Sequence, residues 1–135
     1  MSMALRVLTA LGLFIDAGVH FHLAPGYQAA TAGGIGQGNL FLLEGTAALL
    51  SGLYVLIRGS RAAYAVALAV AFSGFVAVVL YRYVDVPAFG PFPAMYDPVW
   101  FFEKSLSAVA EGAATVLAAM GLARSAPTPR TVRAP

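Results

Sequence analysis

Asp16, His20 and His22 interrupt the first hydrophobic run of this chain, in the stretch LFIDAGVHFHLAPGYQ, and Glu44, Glu103 and Glu111 interrupt later ones. Carboxylates and imidazoles in apolar surroundings serve a short list of purposes. They hold a metal ion, relay protons, bind a small polar ligand, or fix helix packing through buried ion pairs. Asp16 and His20 are four residues apart, and Glu103, Ser107 and Glu111 form an i, i+4, i+8 row, so each set runs along one face of a helix. His22 is two residues from His20 and points to a different face, which makes it an interfacial histidine rather than a ligand. Arg82 and Lys104 are the cations nearest to these acids in the pattern, so ion pairing with the carboxylates is expected.

The surroundings of these residues are those of a membrane protein. The 135 residues are 60% hydrophobic and 10% charged, with a mean hydropathy of +0.80, whereas a soluble domain carries about 25% charged residues. The charges are segregated, leaving stretches of roughly 20 residues, long enough to cross about 30 Å of hydrocarbon. The net charge of +2 does not point to nucleic acid, because the arginines sit beside hydrophobic runs and form no basic stripe. With no cysteine there is no disulfide, thiolate metal site or redox dithiol.

Four spans are predicted, at about residues 5–24, 39–57, 62–83 and 98–122. Pro25-Gly26 ends the first, Asn39 caps the second and Arg58-Gly59 stops it, and Asp97 caps the fourth with Pro98 in the first helical position. The expected fold is all-α, an antiparallel four-helix transmembrane bundle. Arg6, Arg58, Arg61, Arg124, Arg130 and Arg133 fall on one side, with Arg82 and Lys104 toward the other, so the positive-inside rule places both termini in the cytoplasm. Aromatic residues crowd the outer boundary at Tyr81, Tyr83, Trp100, Phe101 and Phe102. Residues 124–135 read as a disordered, basic, proline-rich tail. A cleaved signal peptide, suggested by Arg6, an apolar run and Ala30-Thr31-Ala32, is disfavoured because Asp16, His20 and His22 lie between the run and that site.

At 1.5 Å rise per residue, His20, Glu44 and Glu103 lie about 6–7 Å below the outer ends of their spans, with Arg82 near the same height and Lys104 beside Glu103. They can share one layer. Asp16 and Glu111 lie one or two turns deeper, near mid-bilayer. A carboxylate facing lipid at the centre costs about 2.5–3.5 kcal/mol, so these faces are expected to turn inward. Small residues on neighbouring stripes, Ala48, Gly52, Ala108 and Gly112, allow close helix approach. The expected pocket opens outward and is lined by Asp16, His20, Glu44, Arg82, Glu103, Lys104 and Glu111. A zinc, manganese or iron ion held by His20, Glu44 and Glu103 is one use of it. A structural network that fixes helix register is the competing account.

Other chemistries find less support. Bis-histidine haem needs ligands on opposed helices, and both histidines are on one span. Copper lacks a cysteine, and Met1, Met3, Met95 and Met120 lie away from the polar layer. The Glu-x-x-His di-iron signature is absent, and AGGIGQGN has neither a preceding strand nor a Gly-Lys-Ser/Thr ending, so it is an outer loop. No Gly-x-Ser-x-Gly elbow exists, and the chain offers no specific hydrolase chemistry. The loop VDVPAFGPFPAMYDPVW, stiffened by Pro87, Pro91, Pro93 and Pro98, is expected either to cap the pocket or to pack on lipid headgroups.

The combination of IDAGVH, QGNLFLLEG, LYRYVDV and MYDPVWFFEKSLSAVAEG resembles a group of small, uncharacterised four-span bacterial integral membrane proteins, over about Ala4 to Ala123. That resemblance implies that Asp16, His20, Glu44, Arg82, Asp85, Tyr96, Trp100, Glu103, Lys104 and Glu111 belong to the group's pattern, and that an acid often stands where this chain has His22. In size and span count the chain is also similar to DoxX-like proteins, associated with quinol or thiosulfate oxidation. Three functions follow as expectations. The first is binding or passage of a small cation, metal or proton. The second is an accessory role in a larger membrane complex or homo-oligomer, and the third is quinone-linked oxidoreduction.

Overall fold

The structure, a computed structural model, describes residues 2–30 and 34–125. It contains four helices, α1 (Met3–Ala29), α2 (Gln37–Arg58), α3 (Arg61–Tyr83) and α4 (Phe102–Arg124), and no strand among the described residues. Each helix is long and apolar enough to cross a membrane, with mean hydropathy from 1.5 in α1 to 2.4 in α3. The expected tail lies outside the described residues from position 126 onward; Arg124 ends α4.

The helix ends follow from local chemistry. Ser2 and Ser60 cap α1 and α3, accepting from the amides of Leu5 (3.3 Å) and Ala63 (3.2 Å). Gly59 ends α2 in the left-handed conformation, φ +55°, with its amide on the Val55 carbonyl. Three boundaries differ from expectation. Pro25 lies inside α1, which runs on to Ala29; proline removes one helical hydrogen bond, a loss that packing against neighbouring helices makes tolerable. That packing is close, because Gly38 of α2 sets its backbone against the Ala24 carbonyl and the Gln28 side chain. Asn39 does not cap α2, which begins two residues earlier; its amide donates to Gln28 Oε1 at 3.0 Å. Asp97 does not cap α4, which begins at Phe102, because its carboxylate is engaged by Tyr27 and Lys104.

The helices pack in a ring in chain order, α1 on α2, α2 on α3, α3 on α4 and α4 on α1, with α1 and α3 nearly out of contact. The core is built largely of alanines (Ala17, Ala48, Ala67, Ala71, Ala114 and Ala118) around Leu13, Val55 and Tyr64. Small residues let the backbones approach, and aromatic rings fill the glycine positions: Phe14 lies against Gly52, Phe21 against Gly45 and Tyr64 against Gly121. Large apolar side chains point outward on every helix, among them Leu43, Ile57, Phe72 and Val109. Such a surface is compatible with contact to lipid. At one end of the ring Arg6 donates through Nε to the Val55 carbonyl (3.2 Å) and through Nη2 to that of Leu56, both in the last turn of α2.

At the other end the α3–α4 connection folds back on itself. Val86 pairs with Met95 and Phe89 with Phe92, and Gly90 supplies the positive φ (+56°) for the tip. The connection is tied down by Asp97 N to the Tyr81 carbonyl (2.9 Å), Ile35 N to the Pro91 carbonyl (3.1 Å) and Gln37 Nε2 to the Ala94 carbonyl (3.0 Å).

Candidate functional site

Below that connection, α1 and α4 bring together the acids spaced along their faces. Asp16 is fully buried and Glu111 is 1% exposed. Ser107 Oγ donates to Asp16 Oδ1 at 2.8 Å and lies 3.4 Å from Glu111 Oε1, so one hydroxyl on α4 links the acid of α1 to the acid one turn below. His20 Nδ1 lies 3.0 Å from Asp16 Oδ1 and 3.0 Å from the Asp16 carbonyl, which locks the imidazole to its own helix. The ring packs edge-on against Phe41 of α2, centroids 5.2 Å apart. One ligand atom each from Asp16, His20 and Glu111 falls within 4.8 Å of the other two.

The third wall is Gly74 of α3. A Cβ built there would stand 2.6 Å from Glu111 Oε1 and 2.7 Å from Glu44 Oε1, so the carboxylates of α2 and α4 both rest on the space that glycine leaves open. The structure thus joins four helices at one polar node inside an alanine core. Within it, Asp16 Oδ2, Glu111 Oε2 and Glu44 Oε1 are buried without a hydrogen-bond partner among the described residues. Buried carboxylate oxygens without donors are costly.

The expected counter-cations are elsewhere. Lys104 bonds the Asp97 and Val99 carbonyls, the latter at 3.3 Å, and pairs with Asp97 Oδ2 at 3.4 Å. Tyr27 donates to the same Asp97 oxygen at 2.6 Å. Arg82 stacks over Tyr83 (4.7 Å) and Trp100 (5.9 Å), and its Nε is buried without a partner. Among the described residues, no lysine or arginine forms an ion pair with Asp16, Glu44 or Glu111. Glu103 is half-buried in the first turn of α4 and is not one of the three convergent donors. Of the set His20, Glu44 and Glu103, grouped from sequence by height, only His20 is in that trio; Asp16 and Glu111 complete it. Height fixes depth in the bilayer, but the azimuth of each helix decides which side chains meet. Glu103 sits at the flank of the buried α4 stripe that runs through Lys104, Ser107, Ala108 and Glu111.

Ser107, Gly74, Asp97 and Tyr27 have roles that the spacing analysis did not assign. Ser107 was legible as the middle of the Glu103 to Glu111 row. Gly74 carried no signal beyond being a small residue in an apolar run, because its role depends on two side chains from other helices.

Above the node lies a cavity of about 630 Å³. His20, Glu44, Gly74, Lys104 and Ser107 contribute to its lining, as do Val86, Pro87, Phe89, Phe92 and Met95 of the α3–α4 connection. Fold and site together define the class: a small all-helical protein with four membrane-length helices and a buried carboxylate–imidazole node beside a cavity. Compared with protein-family models, with curated proteins and with solved structures, the chain matches none.

Proposed function

We propose that this chain is a multi-pass protein of the bacterial inner membrane that binds a small cation at the node of Asp16, His20 and Glu111, with a divalent metal of the zinc, manganese or iron class as the first choice. The observation that carries this reading is the convergence of three donors within 4.8 Å while Asp16 Oδ2 and Glu111 Oε2 remain without donors and without a lysine or arginine counter-ion. Two carboxylates and one imidazole suit borderline divalent ions. Ser107 serves as an outer-shell donor that fixes the Asp16 carboxylate. The bundle is antiparallel, with both termini cytoplasmic and the cavity toward the outer face. Supporting this, Arg6, Arg58, Arg61 and Arg124 gather near one set of helix ends and the cavity lies toward the other.

Protons are the second reading, favoured by the near-complete burial of Asp16 and Glu111, in which two carboxyl groups share hydrogen rather than metal. Elemental analysis of protein purified in mild detergent without chelator separates the two. A near-stoichiometric metal that disappears in Asp16→Asn and in Glu111→Gln is the expected result; folded protein without metal rejects the metal reading and leaves protons as the cation.

A further inference from the structure

The cavity itself has a use that the three-donor node does not exhaust. At about 630 Å³ it is within the roughly 300–1,000 Å³ span of small-molecule sites. It is far larger than a metal ion requires. Its walls are mainly apolar and aromatic, with Tyr27, Phe41, Tyr81, Phe92 and Phe101 from three helices and the α3–α4 connection. The ionisable side chains among the lining residues are few. Lys104 and Asp97 pair with each other, so they cancel, and His20 is bonded to Asp16. Glu44 is left. It lines the cavity, is not one of the three convergent donors, and keeps a buried Oε1 that nothing in the described structure donates to.

A carboxyl group with no lysine or arginine partner among the described residues, in the wall of an aromatic cavity, selects for charge and shape together. We infer that the cavity binds an apolar organic monocation, such as a quaternary ammonium, a phosphonium or a protonated amine, with its charged centre against Glu44 and its apolar body among the aromatic rings. The carboxylate supplies the counter-charge, and ring faces add cation–π attraction that is strongest where water is excluded. A neutral ring compound, a quinone included, would fill the volume but give Glu44 no positive partner. An organic anion would be repelled by it. Glu44 is not one of the three convergent donors, but it shares the Gly74 face with Glu111, so metal content is followed alongside cation binding.

Tetraphenylphosphonium and tetraphenylborate provide the test, because they share one four-ring shape and carry opposite charges. Binding of each to the full chain in mild detergent is measured by equilibrium dialysis, with metal content determined on the same samples. The expected result is saturable binding of about one tetraphenylphosphonium per chain and no saturable binding of tetraphenylborate. Glu44→Gln, checked for helicity and monodispersity, should weaken tetraphenylphosphonium about tenfold or more. Equal binding of both ions, or no saturable cation binding, overturns the inference on the wild-type chain alone, whatever the variant does. Unchanged binding in a folded Glu44→Gln overturns the role of Glu44. Loss of metal with cation binding intact would count against the node and spare the cavity.

Discussion

Gly74→Ala is the most discriminating single change, because it adds one methyl group at the point where two carboxylates from other helices meet. The new Cβ would lie 2.6 Å from Glu111 Oε1, 2.7 Å from Glu44 Oε1 and 3.0 Å from Glu111 Cδ. To reach ordinary contact distance, each oxygen must retreat by roughly 0.7–0.8 Å. Glu111, at 1% exposure, has little room in which to do so. Overpacking of this kind costs about 1–3 kcal/mol, while alanine in place of glycine favours a helix interior by about 1 kcal/mol. The net loss of stability should therefore be small, about 0–2 kcal/mol. The effect on the node should be larger, because a displacement of that size exceeds the roughly 0.2 Å tolerance of metal–ligand distances. Metal affinity is expected to fall about 10–100-fold, the range seen when ligand positioning is disturbed. The assay is metal titration of demetallated protein in detergent, with denaturation followed by circular dichroism on the same samples. Gly18→Ala is the control, since a Cβ there meets nothing within 4 Å, and it should bind metal as the wild type does. If Gly74→Ala also binds like wild type, the two carboxylates do not converge on that glycine and the node as described is wrong.

Two further outcomes follow from the same geometry. Ser107→Ala removes the 2.8 Å donor to Asp16 Oδ1 and should weaken metal binding about tenfold while the protein stays folded; binding equal to wild type would show that Asp16 needs no second partner. Because the chain has no cysteine, single cysteines report topology directly. Ala88→Cys, exposed in the α3–α4 connection, should react with a membrane-impermeant maleimide on spheroplasts, and Ala62→Cys, exposed at the start of α3, only after permeabilisation. The reverse pattern would invert the proposed orientation.

How much of this was legible in the chain depends on the range of the interactions. Glycine at 59 stops α2 as its position suggested, because chain termination is a local property of backbone conformation. Pro25 misled, since a proline's cost to a helix is local but the packing that offsets it, Gly38 on Ala24 and Gln28, comes from another helix. Asp97 misled in the same way. As a residue before proline it reads as a cap, yet Tyr27 and Lys104 offer its carboxylate a phenol and an ammonium, so α4 starts later. Arg82 and Lys104 matched the acids in sign and height but turned to aromatic rings and carbonyls nearer at hand.

By itself the sequence determined the long apolar helices, the pairing of Asp16 with His20 one turn on, and the row through Ser107 to Glu111. Each of these follows from hydropathy over some twenty residues or from the 3.6-residue helical period, and both act within one helix. The tertiary structure decided which acids meet. Helix rotation about its own axis is invisible to spacing within that helix and is set by side-chain packing between helices. That rotation brings Glu111 rather than Glu103 to Asp16, places Gly74 under two carboxylates from its neighbours, and leaves Glu44 lining the cavity.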